Sequence, residues 1–234
     1  MNPKCLSASL VVLVLAMAAS ADRARADDGN PAFIQHDTFV GAHPDLYWQR
    51  QGIRNYTRGR YAEAMTDFRR AARFADKTSQ AMIAQMLWNG DGVKADHVMA
   101  YVWADLAAER GYPDFIATRE KFWRELGTDE QKAAVAAGQA IFAEYGDQIA
   151  KHREERELRL ARINITGSRT GHVGTIDMLL KNSDNSLGAP IDGSLYFAPK
   201  YWEPKQYWQW RDHTWTQPPE GNVEVGPIQT PPAH

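Results

Sequence analysis

The sequence predicts an all-α fold, a short helical-hairpin solenoid with a long C-terminal helix and an irregular, aromatic-rich extension. Two observations carry this expectation. First, Ala64 and the pair Ala71-Ala72 recur 36 residues later as Ala100 and Ala107-Ala108. Ala81, Ala100 and Ala107 recur at the same interval as Ala117, Ala136 and Ala143. A period in the mid-thirties marks helical hairpins that bury their apolar faces only against neighbouring hairpins. Second, Asn89 to Gly111 reads as a glycine-rich turn, a helix capped by Asp96, and a stopping glycine.

Taken in order, residues 1–26 read as a secretory signal peptide. Lys4 gives a small basic start, Leu10 to Met17 is the apolar core, and small-residue cleavage sites end at Ala21 and Ala26. The apolar run falls short of the ~20 residues a membrane span needs. Cys5 precedes the apolar core, so it does not resemble a lipoprotein acylation site. Residues 27–43, polar and broken by Gly29-Asn30-Pro31 and Gly41, read as a lead-in linker.

The helical repeat domain is expected over 44–163. Its first helix runs through Tyr47, Trp48, Gln51 and Tyr56, and its second spans about residues 61–74. A second hairpin pairs residues 79–88 with 96–110 across the Gly90–Gly92 turn, where Gly92 supplies a positive φ. Small alanines let the helices approach closely while Trp103 and Leu106 fill the gaps beside them. Pro113 opens a third hairpin from the first turn of its helix. Thr128 and Gln131 are spaced as a capping box. Helical propensity then runs past Tyr145 to about Ile163, with Gly146 as a break. Lys151 to Arg162 carries five basic and three acidic residues at i,i+3 and i,i+4 spacings. It reads as a solvated helix closing the array, in preference to a binding stripe of Arg153, Arg156 and Arg159.

Residues 164–216 change character. Loop signals at Thr166 to Gly171 and Asn182 to Asn185 precede a short candidate strand over Ile191 to Phe197. Eight aromatics then fall between Tyr196 and Trp215. The tail, 217–234, holds Pro218, Pro219, Pro227, Pro231 and Pro232 with little apolar bulk and is expected to be disordered. The chain has one cysteine and a net charge of −2. Cleavage after Ala26 removes Cys5 together with Lys4, Arg23, Arg25 and Asp22, leaving about −4 and no thiol for disulfides or metal. That balance gives no reason to expect nucleic acid.

The segment G-D-G-V-K-A-D-H-V-M-A-Y-V-W-A-D-L-A-A-E-R-G, from Gly90 to Gly111, resembles one full Sel-one-like repeat, a relative of the tetratricopeptide repeat. Gly90, Gly92, Asp96, Ala100, Trp103, Leu106, Ala107, Ala108 and Gly111 carry the resemblance, together with Val93. Upstream, Tyr56, Gly59, Tyr61 and Ala64 look closer to a tetratricopeptide repeat. Downstream only alanine spacing and the bulk of Phe122-Trp123 persist. The resemblance covers roughly residues 45–145, and it implies a scaffold or adaptor that binds another protein through the concave face of its first helices.

That face would draw on residues near Gln49, Arg50, Gln85 and Trp88. Outside the repeats, Trp202, Trp208, Trp210 and Trp215 are the candidate binding residues, because indole faces stack on sugars and anchor interfaces. The alternative function is therefore a peptidoglycan-binding module, although folding back of these rings as a cap on the last hairpin is the favoured reading. The histidines show no metal-ligand spacing, and Gly167 to Gly171 lacks the lysine of a phosphate-binding loop. No catalytic constellation, metal or cofactor is expected. The sequence expectation is an exported, periplasmic or secreted, non-enzymatic protein with a protein partner.

Overall fold

The computed structural model describes residues 32–167, 177–181 and 186–216. The residues expected to form a signal peptide, the segments around Thr170 and Ser183, and the proline-rich tail lie outside the described residues. The described chain is predominantly helical with one small antiparallel sheet. After a 3-10 turn at Ala32–Gln35, the helices are α1 (Asp37–Gly41), α2 (Pro44–Thr57), α3 (Tyr61–Ala72), α4 (Lys77–Asn89) and α5 (His97–Ala107). They continue as α6 (Pro113–Glu125), α7 (Thr128–Tyr145) and α8 (Asp147–Thr166). Strands β1 (Asp177–Lys181) and β2 (Leu187–Asp192) precede α9 (Gly193–Tyr196), α10 (Pro199–Trp202) and α11 (Pro204–Thr216).

Local chemistry sets the boundaries. Asp76 and Asp96 accept from the backbone N–H of Ser79 and Met99, so both act as N-caps, and Pro113 stands in the first turn of α6. Gly90 closes α4 in the left-handed region and Gly111 ends the helical run after α5 in the same way. Gly92 has φ +68°, and a Cβ there would lie 2.2 Å from the Cβ of Tyr61, so conformation and space both require glycine. Helix α7 is capped one residue earlier than the sequence suggests, and by half of a capping box only, since glycine has no side chain to complete it. Gly127 is the N-cap and its N–H donates to Glu130 Oε2 at 2.9 Å. Gly146 does break the long helical run, separating α7 from α8.

Helices α2 to α5 pack on their sequence neighbours, whereas α6 and α7 both pack on α5 and share few contacts with each other, so the expected third hairpin does not close on itself. The centre of this layer is α4, whose residues Lys77 to Leu87 are all buried. Phe68, Met82, Ile83, Met86, Trp103, Leu106 and Phe122 form the main core, with Ala64, Ala72, Ala84, Ala100 and Ala104 as the small residues between them. Ala81, Ala107 and Ala108 pack with Tyr112 and Phe115 in an adjoining cluster.

Two parts of the sequence reading need correction. The lead-in 27–43 is not a linker over its described part. Phe33, Ile34, Phe39 and Val40 are buried, and they meet Tyr196, Phe197, Tyr201 and Trp202 in one aromatic cluster. The extension 164–216 is likewise ordered into a hairpin and three helices, with α8 running on to Thr166. The strand ends at Asp192, whose carboxylate caps α9 by accepting from Ser194 N–H, so Gly193 to Tyr196 is helical. Short helices of four or five residues have little stability alone. They form here because each presents an aromatic ring to partners roughly 160 residues away in the chain.

Candidate functional site

A buried charge network binds α11 to the helical layer. Arg211 is inserted between Asp45 on α2 and Asp76 at the start of α4, at 2.8 Å from each. Tyr207 donates to Asp45 Oδ1 at 2.6 Å. Glu154 on α8 is fully buried beside them, and neither carboxyl oxygen has a hydrogen-bond partner among the described residues. Burial first, then the charge of Asp45, pushes the Glu154 carboxyl well above its ordinary value. Burial likewise raises Asp76 against the opposing charge of Arg211, and lowers the imidazole of His43.

A second group adjoins the first. Lys77 lies 2.7 Å from Glu109 and 3.0 Å from Asp147. Arg110 reaches Asp147 at 2.6 Å and Asp212 at 3.0 Å, while Tyr112 also donates to Asp212. Burial alone would raise the Asp147 carboxyl, but its bond to Arg110 and the charges of Lys77, Arg110 and Lys151 hold it well below the carboxylate range. The first group is closed off from solvent by packed side chains, whereas the second reaches the surface at Glu109 and Asp212. Their chemistry is structural: they fix where α8 and α11 sit on α2 and α4.

One surface feature has the shape of a binding site. A small cleft of about 80 Å³ is lined by Ile34, Gln35, Val40, Leu46, Gln49, Arg50, Ile53 and Trp210. Its floor is apolar, and its polar atoms come from three side chains. Arg50 donates to Asp37 Oδ1 at 3.1 Å, to the Gln35 carbonyl at 2.9 Å and to Gln35 Oε1 at 3.2 Å. Gln49 donates its amide to Asp76 Oδ1 at 3.1 Å, which leaves Gln49 Oε1 as an acceptor on the cleft wall.

The candidate residues from the sequence separate into distinct fates. Gln49 and Trp210, taken from different parts of the chain, come together in this cleft. Trp202 and Trp208 are buried at 2 % and 8 % exposure; Trp202 donates to the Tyr196 carbonyl and Trp208 to Glu155. Trp215 is half-buried beside Phe115 and Tyr112. Gln85 is buried and bonded to Asn89, and Trp88 stacks flat on Phe122 at 3.9 Å. The four tryptophans therefore do not form one exposed platform, and α4 does not present an open concave face.

Sequence reasoning missed Ile34, Gln35 and Val40, which lie in the supposed linker, and the whole Asp45–Arg211–Glu154 group. The apolar pairs Phe33-Ile34 and Phe39-Val40 were the available signal for the first. Nothing in spacing signals the second. Among the described residues no three metal-ligating side chains converge, and no helix is long and apolar enough to cross a membrane. No family model, curated protein or solved structure matches this chain.

Proposed function

We propose that this protein is a non-enzymatic, exported interaction scaffold of the Sel-one-like type, which holds a protein partner at the cleft between α1, α2 and α11. The observation that carries the reading is the cleft itself: an apolar floor with a few placed polar groups on its wall, built where a candidate first-helix residue, Gln49, meets a candidate aromatic, Trp210. The Gly90–Gly111 motif and the buried pairs Ala64 and Ala100, Ala71 and Ala107, and Ala72 and Ala108 support a short hairpin array, as does the packing of α2 on α3, α3 on α4 and α4 on α5. Export rests on the leader-like residues 1–26. The charged groups at the core are enclosed in ion pairs and hydrogen bonds, an arrangement that holds elements together and offers no reacting atom to a substrate. The glycan alternative loses its support with Trp202 and Trp208 buried.

The test is site-specific photo-cross-linking in the native envelope. A benzophenone side chain at the exposed Gln35, on the cleft, should trap a defined protein. The same group at Lys132, whose side chain is 73 % exposed on α7, should trap none. Equal patterns from both positions, or none from Gln35, would remove the basis for a scaffold acting through this cleft.

A further inference from the structure

We infer that the outer edge of β1 pairs with the same edge of a second copy of this chain, antiparallel and centred on Leu179, so that two hairpins make one four-stranded sheet. This surface lies apart from the cleft and does not depend on how the cleft is read. The sheet consists of β1 and β2 alone, so among the described residues no third strand lies beside β1. Such an edge presents unpaired backbone N–H and C=O groups and is a template for another strand. Pro190 fixes which groups face outward. Leu179 stands opposite Pro190. Proline has no N–H, so this pair cannot exchange two hydrogen bonds and must be the kind whose backbone groups point away from each other. The N–H and C=O of Leu179 therefore face the outer edge of β1. By the alternation of a strand, so do those of Asp177 and Lys181.

The other edge of the hairpin is blunted. Pro190 offers no donor there, and the register slips on β2, which takes three steps from Pro190 to Leu187 where β1 takes two from Leu179 to Lys181. Strand β1 has neither protection. Its exposed face is apolar at the centre: Leu179 is 50 % exposed and Leu187, on the same face of β2, is 64 % exposed. Leu180, on the opposite face, is buried in the aromatic cluster. The residues of the edge specify what covers it. Asp-Met-Leu-Leu-Lys, run antiparallel against itself with all five residues paired, sets position 177 of each copy opposite position 181 of the other. An aspartate thus meets a lysine twice by symmetry, and Leu179 meets Leu179. The outward-facing residues of the two copies coincide in that register, so their N–H and C=O groups form a ladder. A slip of one residue sets outward-facing groups against inward-facing ones and forms none. Parallel pairing in register sets aspartate beside aspartate and lysine beside lysine. The self-complementary arrangement is a two-fold one, which closes as a dimer.

The experiment is analytical ultracentrifugation of the purified chain from micromolar to millimolar concentration. A contact of five residues a side is small, so the dimer should appear with rising concentration and dissociate on dilution. Asp177→Lys sets lysine against lysine, Lys181→Asp sets aspartate against aspartate, and each should raise the dissociation constant about tenfold. Mixed in equal amounts, the two variants should recover the parent's association, because every cross-strand pair in the mixed dimer is again of opposite charge. Damage to the fold cannot produce that recovery. Leu179→Pro removes an N–H that faces outward, so it should abolish the dimer while leaving the melting curve of the dilute protein nearly unchanged. A chain that stays monomeric throughout the range overturns a second copy as the occupant of this edge. A dimer that survives Leu179→Pro overturns β1 as the interface. Charge variants that associate like the parent, or that fail to recover on mixing, overturn the register.

Discussion

Three carboxyl groups, Asp45, Asp76 and Glu154, share one guanidinium, that of Arg211, in an interior from which water is excluded. Removing the cation is the severe change. Arg211→Leu leaves Asp45 and Asp76 buried without it and should cost about 3–5 kcal/mol, read as a lowered denaturation midpoint. The two charge groups also give stability opposite slopes in pH. Glu154 has a folded pKa raised by burial and by Asp45, so its contribution is complete below the ordinary glutamate range and is lost as pH rises through the folded value. Asp147 has a depressed folded pKa, so its contribution is present above the ordinary aspartate range and is lost as pH falls. Melting temperature should therefore decline on both sides. Glu154→Gln keeps the shape of the neutral carboxyl and should lessen the decline above the ordinary glutamate range, read as a higher melting temperature there. An unchanged alkaline limb in that variant would show that Glu154 is not held protonated.

At the scale of elements, close approach is the controlling variable. Ala107 and Ala108 are buried to 1 % and 4 % exposure against Ala81, Tyr112 and Phe115. Leucine at either position adds volume to a filled contact and should cost about 1–3 kcal/mol. Thermal stability unaffected in both variants would mean that no packed interface exists there. The α4–α5 turn is equally exacting. Gly92→Ala imposes a positive φ on a side chain that also meets Tyr61, and should destabilise by about 1–3 kcal/mol, whereas Gly138→Ala, inside α7 with open space at its Cβ, should be neutral or slightly stabilising. Comparing the two by chemical denaturation separates strain from a general effect of glycine replacement.

For the whole molecule, the decisive fact is that the two ends of its described part meet. Phe33 and Phe39 near one end pack with Tyr196, Tyr201 and Trp202 near the other, and the His43 ring lies between them, its nitrogens 2.7 Å and 3.0 Å from the Phe39 and Tyr201 carbonyl oxygens. Truncation after Asp192 would expose this cluster and leave Asp45 and Asp76 without Arg211. Such a chain should aggregate or lose its cooperative transition, because burial of each large ring is worth roughly 1.5–3 kcal/mol. A truncated protein that melts like the parent would mean α9 to α11 are appended to an independent helical unit.

Much of the helical layer was legible in advance because its determinants are local. Asp96 three residues before Met99, Gly90 and Gly92 at a turn, and Pro113 in a first turn are short-range rules that a sequence states directly. The alanine period holds for one interval only: Ala64, Ala71 and Ala72 are buried like Ala100, Ala107 and Ala108, but Ala117, Ala136 and Ala143 are exposed where Ala81, Ala100 and Ala107 are buried. The lead-in and the C-terminal extension were not legible, because short polar-looking segments become helices only when a distant partner covers their few apolar groups. The cleft was half legible. Gln49, Arg50 and Trp210 were named from the sequence, but Ile34, Gln35 and Val40 joined them only through the packing of the chain before α2 on α2 and α11. The sequence by itself determined the helices, their caps and their small-residue contacts, all of which depend on neighbours within a few residues or one repeat. Tertiary structure alone decided which charges are buried together, which tryptophans are withdrawn from solvent, and where an open cleft remains. Those outcomes depend on contacts more than a hundred residues apart in the chain, and no local pattern encodes them.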